Sequence, residues 1–103
     1  MMIKSQDGLQ LVNLRLVTSL SIYHDENKST PTYNINACYP YLQDGDCAYT
    51  VLGRYITKRQ AKEILKDIEK TYQYAMECNS IGHGLSKPEF IYLMPLNKYI
   101  TEE

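Results

Sequence analysis

Arg54, Tyr55, Lys58 and Arg59 fall within six residues of one another, where the chain reads as passing from a strand into its one convincing helix. Three cations there would meet the unpaired amides and positive dipole end of a helix N-terminus. That arrangement suits a phosphate or a small nucleotide, with Tyr55 supplying a stacking face. A capping box competes for the same amides, with Thr57 as N-cap and Gln60 three residues later. Ile56 and Ala61 stand where a hydrophobic staple would join strand to helix. A solvated, mixed-charge helix start accounts for these residues better, since the capping box already occupies some of those donors.

Catalytic chemistry finds little to work with. His24 stands beside Asp25, but adjacency in sequence does not give the geometry of an Asp-oriented imidazole, and a solvated loop explains the pair. His83 between Gly82 and Gly84 reads as part of a helix-terminating turn. Cys38, Cys47 and Cys78 lack metal-ligand spacing, and they read as reduced thiols of a cytoplasmic protein. Asp44-Gly45-Asp46 lacks the ligand spacing and terminal Glu of a calcium loop, so turn chemistry explains it. Neither Gly-x-Gly-x-x-Gly nor a Walker lysine is present. The expectation is a binding protein with no catalytic residue, no metal and no cofactor.

At 103 residues the chain is expected to form a single domain, and 44% hydrophobic with 22% charged residues argues for a folded one. A net charge of −1 disfavours a general nucleic-acid binder, which needs an excess of Lys and Arg to replace released counterions. No apolar leader and no run near the roughly 20 residues needed to span a bilayer is visible, so an intracellular, soluble protein with no membrane partner is expected.

The elements that must position these residues follow from periodicity and turn chemistry. Asp7-Gly8 carries a two-residue hairpin signal between short strands. Asn13 to Ser19 stays open between connection and strand extension. Leu20 to Tyr23 reads as a strand and His24 to Pro31 as a polar loop. From Tyr33 to Tyr39 the alternation is clean, with Tyr33, Ile35, Ala37 and Tyr39 on one face and Asn34, Asn36 and Cys38 on the other. Pro40 limits that strand, Gln43 to Asp46 turns the chain, and Cys47 to Tyr55 returns. Leu52 and Ile56 are expected to face the helix, and Gly53 to mark a bulge or a close backbone approach. Ala61, Ile64, Leu65, Ile68, Tyr72, Ala75 and Met76 form the apolar stripe of a helix ending near Cys78. Lys58, Lys62, Lys66 and Lys70 form a row on a solvated face. Phe90 to Met94 is the last strand, stopped by Pro95. The fold class is α+β, an antiparallel β-meander sheet of about five to six strands with one long amphipathic helix on one face.

Three pieces, in order, carry a resemblance: Met2-Ile3-Lys4-Ser5-Gln6-Asp7-Gly8 with Leu11-Val12; Leu52-Gly53-Arg54-Tyr55 with Thr57, Ala61, Leu65 and Ile68; and Tyr92-Leu93-Met94-Pro95. Through them the chain resembles a group of small uncharacterised proteins of Gram-positive bacteria and their phages and prophages. Arg54 departs from the group, where an acidic residue is common, and Tyr23 to Tyr39 is longer than in its members. The resemblance implies an antiparallel sheet with one helix and a phage accessory gene, and it carries over no catalytic residue. A host-protein target, in counter-defence, is the role it implies.

Ten tyrosines exceed what one small core can bury with every hydroxyl paired. With one helix covering one side of the sheet, Tyr33, Tyr39, Tyr49 and Tyr55 are expected on the other, as an apolar interface for a second copy or another protein. The expectation is therefore a homo-oligomer acting by protein–protein contact. The alternative is a nucleotide-sequestering protein that uses Arg54, Tyr55, Lys58 and Arg59.

Overall fold

A computed structural model of the chain describes residues 1–27, 29–81 and 91–97, with the side chains of 78–81 outside that description. The elements are β1 (Met2–Lys4), β2 (Leu11–Asn13), a 3-10 turn (Leu14–Leu16), β3 (Ser19–Asp25), β4 (Thr32–Gln43), β5 (Asp46–Tyr55), α1 (Lys58–Ile81) and β6 (Ile91–Leu93). The class is α+β with antiparallel pairing and one helix, but the single meander is corrected. The strands form two three-stranded sheets, ordered β2-β1-β6 and β3-β4-β5. The split arises because the last strand does not return to the long hairpins. Instead β6 pairs in parallel with β1, Ile3 opposite Tyr92. Strands three residues long give periodicity too little to assign partners.

Local chemistry explains where the elements end. At Asp44-Gly45 both residues take positive φ, 53° and 88°, the requirement of a type I′ turn, and β4 and β5 meet there with Gln43 opposite Asp46. The two-residue hairpin signal at Asp7-Gly8 resolves differently, since only Gly8 there has positive φ. The turn is longer, closed by the Ser5 amide on the Gln10 carbonyl and by Asp7, whose Oδ1 accepts from the Ser5 hydroxyl and the Leu9 amide. The open segment after Asn13 becomes the 3-10 turn, with Asn13 capping it through the Arg15 amide. His24 and Asp25 belong to β3 and not to a loop. There the His24 ring stacks on Tyr33 across the ladder, with centroids 4.3 Å apart. Pro40 does not end β4, because the register shift between Cys38 and Leu42 takes Tyr39–Tyr41 out of the ladder, where a missing amide costs nothing.

One core serves both sheets and the helix. Ile3, Val12 and Tyr92 from the first sheet with Met94 just after it, Ile35, Ala37, Leu52 and Tyr55 from the second, and Ala61, Ile64 and Ile68 of α1 form one buried cluster. The helical stripe holds except at Met76, which is exposed, and the helix runs through Ile81, past the expected end near Cys78. Thr57 Oγ1 accepts the Gln60 amide, so the N-cap forms. The reciprocal half does not, because Gln60 Oε1 is buried without a partner. Ile56 is 43% exposed, so it neither faces the helix nor staples it from a buried position. Tyr92 Oη donates to Asp67 Oδ2 at 2.7 Å, tying β6 to α1. Burial, and then the Asp67 bond and charge, push the Tyr92 hydroxyl well above the usual phenol range.

Candidate functional site

The four expected interface tyrosines do not share a face. Tyr33 lies directly opposite Tyr55, both on the helix side, and Tyr55 is 0% exposed. Tyr55 Oη donates to the Pro95 carbonyl at 2.8 Å, and burial holds the phenol neutral far above its usual range. It presents no ring to a ligand or a partner, which removes it from both expected sets. Tyr39 bonds Thr50 Oγ1 at 2.9 Å and stacks on Tyr41. Tyr49 lies on the opposite face, because its register partner Cys38 alternates with the core residue Ala37. That face is not bare apolar surface. Its central strand carries Asn34 and Asn36, both buried, with Asn36 Oδ1 unpartnered.

The expected anion site loses its convergence. Lys58 and Arg59 are exposed on the first turn of α1, and Arg59 Nε turns to Glu63 Oε2 at 3.6 Å. Arg54 belongs to the end of β5 and not to the helix, and it lines a groove together with Asp7. The Asp7 carboxyl is held below its ordinary value by the Ser5 hydroxyl first, then by the Leu9 amide, with the Arg54 charge adding to them. The Thr57 hydroxyl already takes one helix-start amide. His24 Nδ1 lies 3.2 Å from Glu26 Oε2, so its carboxylate neighbour is not Asp25. Cys38 and Cys47 are free thiols. The Gly82-His83-Gly84 turn and Phe90 lie outside the described residues. Among the described residues no group of three or more His, Cys, Asp or Glu is placed to hold a metal, and no helix is long and apolar enough to cross a membrane.

What the structure assembles instead is a strand edge. β5 has β4 on one side and, among the described residues, no strand on the other. The direction of its peptide groups follows from its neighbour. The Cys38 carbonyl accepts the Thr18 amide at 2.7 Å, so Cys38 points its backbone toward β3 and its pairing with Tyr49 is of the non-hydrogen-bonded kind. The amide and carbonyl of Tyr49 therefore face the open edge, and alternation puts those of Cys47 and Val51 beside them. The register shift near Leu52 then breaks the alternation, as a bulge does.

At that bulge the edge is already in use. The Gln6 amide donates to the Leu52 carbonyl at 2.7 Å, Gln6 Oε1 accepts the Arg54 amide at 2.8 Å, and Gln6 Nε2 reaches the Arg54 carbonyl at 3.2 Å. One residue thus satisfies β5 as an added strand would. Asn97 closes the other flank, donating to the Arg54 carbonyl at 2.9 Å and accepting from the Ile56 amide. Gln6 and Asn97 escaped the sequence reading because amide side chains near turns carry no periodic signal.

From Asp46 to Val51 the edge is uncovered among the described residues and forms one wall of a groove of about 570 Å³, whose other lining includes Asp7, Gln10, Asp44 and Arg54. Above it the hairpin projects past the core with Tyr41 59%, Leu42 69% and Tyr49 57% exposed. Comparison with protein-family models, curated proteins and solved structures finds no match.

Proposed function

We propose that the chain is a non-catalytic binding protein that acts through contact with another protein, using the β4–β5 hairpin. The observation that carries this reading is the exposure of Tyr41, Leu42 and Tyr49 along one hairpin outside the buried core, Tyr41 on the face of Tyr39 and Tyr49 on the other. Aromatic side chains bury large areas at small entropic cost, and exposed clusters of them are characteristic of contact surfaces. A host-protein target of phage or prophage type, in the cytoplasm, is supported by the resemblance alone. Nucleotide sequestration is the weaker reading here, because its stacking ring, Tyr55, is inside the core, Arg59 turns to Glu63, and the Thr57 hydroxyl already takes a helix-start amide.

A photo-crosslinking amino acid at Tyr49 or Tyr41 tests the reading in cells, with Lys66 on the exposed face of α1 as the control position. One discrete protein adduct from the hairpin positions and none from Lys66 is the expected result. Identical adduct patterns from all three positions, or none from any, would overturn it. A nucleotide panel is expected to produce no thermal shift, and a shift lost in Arg54→Ala would revive the alternative.

A further inference from the structure

We propose that the open edge of β5, from Asp46 to Val51, is a docking strand that an extended, lysine- or arginine-bearing segment of another protein joins as a fourth strand of the β3-β4-β5 sheet. This rests on the protein-binding reading above and names the chemistry of the partner.

The edge supplies what strand addition needs. Outward-facing peptide groups of Cys47, Tyr49 and Val51 lie in line along a groove of about 570 Å³. The molecule already performs the same operation one step further along, where Gln6 takes up the Leu52 carbonyl and both peptide groups of Arg54. Gln6 therefore sets one end of the docking stretch, and an incoming segment continues the row that Gln6 begins. An unprotected edge is a liability that proteins commonly blunt with lysine, proline or a covering element. From Asp46 to Val51 this edge carries no Lys, no Pro and, among the described residues, no covering strand.

Charge selects the occupant. Asp44 and Asp46 line the hairpin end of the groove, and among the described residues no ion pair reaches either. Arg54, the one cation of the lining, is at the Gln6 end, where Gln6 bonds its backbone and Asp7 also lines the groove. A basic side chain near the hairpin end thus finds two unpaired carboxylates, while an acidic one is repelled. A second copy fits poorly. Two-fold pairing centred on Tyr49 would set Asp46 against the Leu52 position that Gln6 holds, and pairing centred on Cys47 would bring the Asp46 carboxylates of the two hairpins close together.

The test uses the full chain and a library of random peptides displayed on phage. Enriched peptides are expected to carry Lys or Arg among β-forming residues, to slow amide exchange at Tyr49 and Val51 at least about tenfold, and to lose about tenfold or more in affinity for Asp44→Asn/Asp46→Lys. Asparagine keeps the left-handed backbone at 44, and an unchanged melting temperature shows that the variant is folded. No enrichment, enrichment of acidic or uncharged peptides, unchanged exchange at the two amides, or equal affinity for the variant would each overturn the proposal. Concentration-dependent dimerisation that protects the same amides would assign the edge to a second copy and overturn it too. Failure here with hairpin crosslinks intact leaves the binding reading standing and refutes the strand-addition mode alone.

Discussion

Gly53→Ala tests the packing that joins strand, helix and sheets. Gly53 does not have positive φ, so its backbone accepts alanine, and reduced freedom of the unfolded chain would stabilise by about 0.4–1 kcal/mol. The obstacle is the Tyr55 ring folded over the glycine. An added Cβ would stand 2.6 Å from Oη, 2.7 Å from Cε2 and 2.9 Å from Cζ. Carbon contacts settle near 3.5–4.0 Å, so the ring or the strand must move by roughly 1 Å. The ring has no free direction, because it is fully buried and its hydroxyl is held by the Pro95 carbonyl. Overpacking of about 1–3 kcal/mol plus loss of a hydrogen bond of about 1 kcal/mol, less the unfolded-state gain, leaves about 1–3.5 kcal/mol of destabilisation, with a middle value of about 2.3 kcal/mol. Urea unfolding followed by circular dichroism should show the midpoint falling by roughly 1–2 M for a slope near 1.5 kcal/mol per M. In the Tyr55→Phe background most of the penalty persists, since two ring carbons still clash. In Tyr55→Leu it falls to near zero. A penalty below about 0.5 kcal/mol in the parent chain, or one undiminished in Tyr55→Leu, would refute the reasoning.

Gln6→Ala should cost about 1–2 kcal/mol in the same urea assay and speed exchange at the Arg54 amide, whose acceptor it removes. Asp7→Asn separates the folded chains by pH. A carboxyl lowered on folding stabilises above its unfolded value near 3.9, and the contribution is lost as pH falls through the folded value. The stability difference between parent and variant should thus be full at about pH 5–7 and shrink toward about pH 2 in an acid unfolding series. Tyr55 and Tyr92 have the opposite sign. Their raised values give stability that is full below about pH 10 and declines as pH rises, so their ionisation, followed by ultraviolet absorbance, should accompany unfolding. Tyr92→Phe should flatten that alkaline decline.

The helix was legible because 24 residues repeat its pattern more than six times, and Ala61, Ile64 and Ile68 fall where the stripe puts them. β4 and β5 were legible for the same reason, at shorter length. Where the sequence reading failed, the deciding contacts were remote. Nothing within Ile91–Leu93 states that it will pair in parallel with Met2–Lys4. Tyr33 and Tyr55 read as surface residues from composition, yet one bulge near Leu52 and one carbonyl at Pro95 take Tyr55 inside. The turn at Asp44-Gly45 is legible in its residue types, but the edge beside it is not, because an edge depends on which strands pair elsewhere. Asp7-Gly8 has the same two residue types, and there Ser5 and Leu9 capture the Asp7 carboxylate and lengthen the turn.

Residue-resolved amide exchange of the free protein decides whether the β5 edge is open up to Gln6. The Tyr49 and Val51 amides should exchange quickly, while the Thr50 amide, turned toward β4, and the Arg54 amide, held by Gln6, should be protected. Protection of Tyr49 and Val51 equal to that of Thr50 in the monomer would mean that the edge is covered, and would contradict the account.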